Sequence, residues 1–353
     1  MKAAALLLAG SLVLASCASD EEGSGDAAAT GGSSGASSEL KIGLAYDTGG
    51  RGDKSFNDSA YAGVEAAVEA AGGDVTEAVR EISPNSDASD RGELLTQLAD
   101  AGYNPVIAVG FAYSDVIGAV AEQYPEVTFA QVDGSVEDAG SPANLTGLLF
   151  AANEGSFLGG VAAALKSTTN NVGFVGGVET PLIEAFEAGY TAGAKAAKPD
   201  ITVQVQYISP AGDFSGFNDP ARGQIVAQGM FDGGADIVYA AAGGSGVGVF
   251  QAAAASGTRA IGVDSDQYQT VGDPALQAVI MTSVLKRVDN AVEAFIGDFQ
   301  SDSVEGGTDI VNDLTTDGVG LATSGDFIAD IQSQIDDYKA QIVAGDITVP
   351  TTP

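Results

Sequence analysis

The most constraining feature of this sequence is an alternation that runs through it twice. From Leu40 onward, apolar runs of strand length alternate with amphipathic stretches of helix length, and after Phe150 the order starts again. In the first series the pattern predicts strands at Lys41–Tyr46, near Val75–Ile82, and at Pro105–Val109, Val127–Val132 and Leu145–Phe150. Helices are expected at Ala60–Ala71, which Gly72-Gly73 ends, and from about Asp90 to Ala101. In the second series the strands are Asn171–Val175, Ile201–Ile208, Ile237–Ala241 and Ala260–Val263, with helices at Glu184–Ala197, Pro220–Asp232 and Gly246–Ala255. Strand and helix in alternation specify parallel sheets with right-handed crossovers. Two series specify an α/β chain with two lobes. The expected division is 39–150 plus about 275–300 for the first lobe, and 151–274 plus about 301–353 for the second.

The beginning of the chain sets the compartment. Lys2 precedes an apolar run from Ala3 to Ala15, too short to span a bilayer and of the right length for a signal-peptide core. It ends in Leu14-Ala15-Ser16-Cys17, which resembles the lipobox of bacterial lipoproteins, so 1–17 reads as signal and lipidation site with Cys17 as the lipid-bearing residue. Residues 18–38 are rich in Gly, Ser, Ala and acid, a composition that buries too little apolar surface to order itself, and read as a tether. The expected location is the extracytoplasmic face of the cell membrane, anchored and not spanning.

Composition removes several kinds of chemistry. The chain has no His and one Cys, which excludes a Ser-His-Asp triad, a His-ligated metal and an internal disulfide. Its formal net charge of -34 repels nucleic acid and anionic headgroups. No cofactor is called for, and no residue is assigned to catalysis or to a metal.

In parallel sheets ligands sit beyond the carboxyl ends of the strands. Here that rule selects the loops after Tyr46, Gly110, Val132, Gly176, Ile208, Ala242 and Val263. The first reads Asp47-Thr48-Gly49-Gly50-Arg51-Gly52-Asp53-Lys54-Ser55-Phe56-Asn57. Gly110-Phe111, Gln131-Val132-Asp133-Gly134, Phe217-Asn218-Asp219-Pro220, Ala242–Phe250, Gly262-Val263-Asp264 and Thr282–Asp289 follow in order. Together with the lipobox, these segments resemble the basic membrane protein (BMP) family, lipoprotein substrate-binding proteins of ABC transporters that include purine-nucleoside receptors. The resemblance runs from Leu40 to the end of the helix that starts at Val288. It implies the type I periplasmic-binding-protein fold, two doubly wound parallel-sheet lobes with a ligand cleft between them. It also implies a nucleoside ligand, a purine foremost, and a permease partner.

By that resemblance Phe56 stacks on one face of the base and Phe217, or in its place Phe186, on the other. Asp47, Thr48 and Asn57 read the base edge with acceptor and donor groups. Asp264 and Lys286 take the sugar hydroxyls, with Asp133 as a further candidate, and Gly243 lets backbone approach the ligand. Each has a plainer alternative: core packing for the aromatics, a turn cap for Asp47, a structural ion pair for Asp264 and Lys286, a chain turn for Gly243. The Gly243–Gly248 run lacks the Lys-Ser/Thr of a phosphate loop, and with 14 Lys and Arg in the chain an uncharged nucleoside is favoured over a nucleotide. The rival readings are a sugar or another small ligand on the same fold, a surface sensor or adhesin, and a hydrolase with an Asp-rich calcium loop.

Overall fold

A computed structural model describes residues 40–85 and 89–353. The signal run, Cys17 and the 18–38 tether lie outside them. The first half holds β1 (Ile42–Ala45), α1 (Phe56–Ala70), α2 (Val75–Ala78), β2 (Val79–Ile82), α3 (Arg91–Asp100), β3 (Val106–Val109), α4 (Ser114–Gln123), β4 (Phe129–Val132) and β5 (Leu145–Phe150). The second holds α5 (Ala152–Lys166), β6 (Asn171–Val178), α6 (Pro181–Ala197), β7 (Thr202–Ser209), α7 (Pro220–Asp232), β8 (Ile237–Ala241), α8 (Gly246–Ser256), β9 (Arg259–Asp264), α9 (Gln267–Thr270), α10 (Pro274–Gln277) and β10 (Ile280–Lys286). The chain then returns through α11 (Val288–Gln300) and β11 (Thr308–Asn312) to the first half, and ends with β12 (Val319–Leu321) and α12 (Gln332–Val343) in the second.

Two six-stranded sheets result, in the orders β11-β5-β4-β3-β1-β2 and β12-β10-β9-β8-β6-β7. All neighbours are parallel except β10 and β12. Helices cover both faces, so the central strands β1, β3, β4 and β8 are buried at every residue and read as unbroken apolar runs. Local chemistry places the helix starts. Thr180 and Asp219 accept hydrogen bonds from Ile183 N–H and Arg222 N–H, and a proline follows each of them. Gly257, in the left-handed region at φ 67°, ends α8.

Four sequence expectations are corrected. The strand expected from Val75 opens instead as α2, because the Asp74 carboxylate accepts the Thr76 N–H and caps a helical turn. The first long helix starts at Phe56 and not near Ala60, so Phe56 and Asn57 belong to its first turn and not to the glycine loop. Ile280–Lys286, expected in the first lobe, is a strand of the second sheet beside β9. Thr308–Asn312, expected in the second lobe, pairs with β5 in the first sheet.

Candidate functional site

The carboxyl ends of both sheets face one cavity, with about 530 Å³ of unfilled space that includes its opening to solvent. All ten sequence-predicted residues line it: Asp47, Thr48, Phe56, Asn57, Asp133, Phe186, Phe217, Gly243, Asp264 and Lys286.

Corresponding strands of the two halves end on the same device. Asp133, just after β4, has φ 61°, and Asp264, at the end of β9, has φ 60°. Asp is among the few residues that enter the left-handed region readily. Lys286, the last residue of β10, lies between them. Its Nζ is 2.5 Å from Asp133 Oδ2 and 3.6 Å from Asp264 Oδ1. All three side chains are buried, and Ser55 Oγ donates to Asp264 Oδ2 at 2.6 Å. Burial opposes the charge on Lys286, but the two carboxylates outweigh it and hold the ammonium above its ordinary pKa. Asp133 Oδ1 has no hydrogen-bond partner among the described residues, so a buried acceptor is left over beside the cavity.

A second charged group stands at the end of β1. Asp47 Oδ1 accepts from Arg91 Nη2 at 3.0 Å and from the Thr48 N–H at 2.7 Å. Burial pushes the Asp47 carboxyl up, against the pull of Arg91. Asn57 is occupied at both ends of its amide: its oxygen accepts the Asp47 N–H and its nitrogen donates to Asp53. It thus fixes the Asp47 loop to α1.

The aromatic walls differ in setting. Phe56 is half-buried, with Lys286 Nζ 4.3 Å from its ring centroid. Phe217 is half-buried and packs so closely on Gly177 that a Cβ there would lie 2.4 Å from the ring. Phe186 is fully buried, on the core-facing side of α6 with Ile183 and Tyr190. Gly243 has φ 52°, and a Cβ on it would meet the Phe217 carbonyl at 3.1 Å.

Sequence reading gave no role to Asp53 and Phe111, though both stood in the quoted segments, and missed Arg91 and Leu182. Asp53 stood in the signature loop, but its partners did not show: its carboxylate accepts the N–H groups of Ser55, Asn57 and Asp58 and so caps α1. Arg91 carried a legible signal. It occupies the buried stripe of α3 with Leu94, Leu95 and Leu98, where an arginine requires a carboxylate.

Burial raises the Asp53 carboxyl from 3.8 to about 6, against the three backbone donors. With the folded value above the unfolded one, the native state holds the extra proton between them. The associated stability is full below pH 4 and is lost as pH rises through 6. Asp53→Asn should flatten that slope: unfolding free energies at pH 4 and pH 7 should differ by about 2 kcal/mol less in the variant than in wild type. Equal slopes in the two proteins would remove Asp53 from this role.

A family model described as "ABC transporter substrate-binding protein PnrA-like" matches residues 40–353. The chain is similar to a CD4+ T-cell-stimulating antigen of Listeria innocua, 36% identical over 99% of this chain and 98% of the relative. It is 34% identical to the ABC transporter nucleoside-binding protein BmpA of Lactococcus lactis, over 98% of this chain and 97% of that protein. Among solved structures, an ABC transporter solute-binding protein from Aeropyrum pernix superposes with a TM-score of 0.74 at 28% identity, covering 88% of this chain and 93% of the other.

Proposed function

The chain belongs to the Bmp family of PnrA-like ABC transporter substrate-binding proteins, and from that premise we propose that it captures a nucleoside, a purine foremost, in the cavity between its sheets. Family membership makes it the substrate-binding component of a transporter and not an enzyme, with the type I periplasmic-binding-protein fold, a small ligand and a permease as partner. The proposed anchor is a lipid on Cys17, which would hold the protein at the extracytoplasmic face of the membrane. No helix among the described residues is long and apolar enough to cross one.

The observation that carries the nucleoside reading is the unpartnered Asp133 oxygen in a cavity walled by aromatic rings. An acceptor fixed beside an ammonium and a second carboxylate suits vicinal hydroxyls, which both donate and accept. Phe56 and Phe217 offer flat apolar faces to a base. Among the described residues, Asp47, Asp133 and Asp264 pair with Arg91 and Lys286 alone, an electrostatic balance that disfavours phosphate. Ligand contact with both halves would favour the closed state over the open one.

A thermal-shift panel of nucleosides, bases, nucleotides and sugars on the full chain, unfolded and refolded to strip bound ligand, tests this. A nucleoside at about a thousand times its dissociation constant should add roughly 4 kcal/mol of stability. Phe56→Ala is expected to weaken binding by about 1–3 kcal/mol, and Asp264→Ala by at least as much. Stabilisation by sugars alone, or tight binding that requires a phosphate, would defeat the nucleoside reading.

A further inference from the structure

The cavity has a rim, and the topology says where it opens. The chain passes between the halves at 150–152, at 286–288 and between Asn312 and Val319, all beside the β11-β5 and β12-β10 ends of the two sheets. The strands farthest from those crossings are β2 and β7. Arg91, which opens α3 after β2, and the residues from Phe214 after β7 therefore lie on the side away from the crossings.

Phe214 makes a contact across it. Phe214 opens the turn Phe214–Phe217 after β7. Its ring centroid is 5.9 Å from that of Phe111, which follows β3 of the first sheet. The Arg91 guanidinium carbon, at the start of α3, lies 4.9 Å from the Phe214 centroid. Phe214, Phe111, Arg91 and Leu182 wall a second space, which shares Phe111, Leu182 and Asp133 with the ligand cavity. Arg91 is also the partner of Asp47, so the guanidinium that receives the Phe214 ring is fixed by a residue of the cavity wall.

We propose that Phe214 is a rim latch: an aromatic of the second half that docks on Arg91 and Phe111 of the first and sets how fast a ligand leaves the closed cavity. Ring pairing and cation–π contact each favour the closed arrangement and are lost when the halves part. Phe214 does not line the ligand cavity itself, so it acts on release and leaves the choice of ligand to the inner residues. The proposal rests on the reading of the cavity as a nucleoside site.

The test is the release rate of adenosine, guanosine or inosine, whichever the wild-type full chain retains, in Phe214→Ala and Phe214→Tyr. The alanine variant should release ligand about tenfold faster with the ranking of nucleosides unchanged. The tyrosine variant, which keeps the ring, should restore the wild-type rate. An unchanged rate in Phe214→Ala, or an equal acceleration in Phe214→Tyr, overturns the latch. If wild type binds no nucleoside, the reading of the cavity fails, and hydrogen exchange decides the latch by itself. Ligand-free Phe214→Ala should then exchange faster than wild type at Asp47–Gly50 and Ala242–Ser245, and equal exchange overturns it.

Discussion

Lys286→Met should cost about 3–5 kcal/mol of folding stability at neutral pH and abolish ligand binding. The Lys286 side chain is 5% exposed, and its ammonium is the cation shared by Asp133 and Asp264, whose side chains are 3% and 7% exposed. Methionine fills much of the same volume, so the loss is electrostatic and not a cavity effect. Two carboxylates would remain facing one another in a desolvated pocket, and each would resist ionisation. The deficit should therefore shrink as pH falls and the carboxyls take up protons. Adding Asp133→Asn and Asp264→Asn should recover most of the stability but none of the binding. Urea unfolding of the single and triple variants at pH 5 and pH 7.5 checks this. A cost below about 1 kcal/mol would mean that the pair is effectively solvated.

Gly193→Ala should destabilise the second half by about 1–3 kcal/mol and weaken ligand binding with it. Helices α5 and α6 touch backbone to backbone: a Cβ on Gly193 would sit 1.9 Å from the Phe157 carbonyl oxygen, and one on Gly160 would sit 2.0 Å from that of Tyr190. One methyl must drive the helices apart, because a carbonyl in a helix cannot rotate aside as a side-chain tip can. Helix α6 carries Leu182, Ile183 and Phe186 into the cavity wall, so its displacement reaches the site. Gly229 in α7 is the control. A Cβ there meets nothing within 4 Å, and Gly229→Ala should stabilise by up to about 1 kcal/mol through helix propensity alone. Equal thermal shifts in the two variants would show that the close contact has no energetic weight.

Much of this was readable because parallel sheets make strands announce themselves as unbroken apolar runs and place ligands at one end of them. Every loop that the rule selected supplies a residue to the cavity or to its rim. What escaped had a weaker signal. Thr308–Asn312 is short and exposed along most of its length, so burial leaves no pattern on it. Its place in the first sheet depends on pairing with β5, a contact distant in sequence. The order of crossings is invisible for the same reason. Phe186 and Phe217 stayed ambiguous because helical spacing puts Phe186 on a core stripe, which accounts for its burial whether or not a ligand touches it. Asn57 looked like a ligand-reading amide, yet its atoms bind Asp47 and Asp53, a use that residue type cannot reveal.

The interleaving of the halves also governs the order in which the protein can be built. Strand β11 joins the first sheet, but it is synthesised only after the second series through β10 has been made. A nascent chain that has reached Gln300 holds both sheets with an unfinished margin, β5 on one and β10 on the other. Unpaired strand edges of that kind are templates for wrong pairing between chains. Neither half can be completed while the other is unmade, so the last fifty or so residues turn two provisional sheets into finished ones.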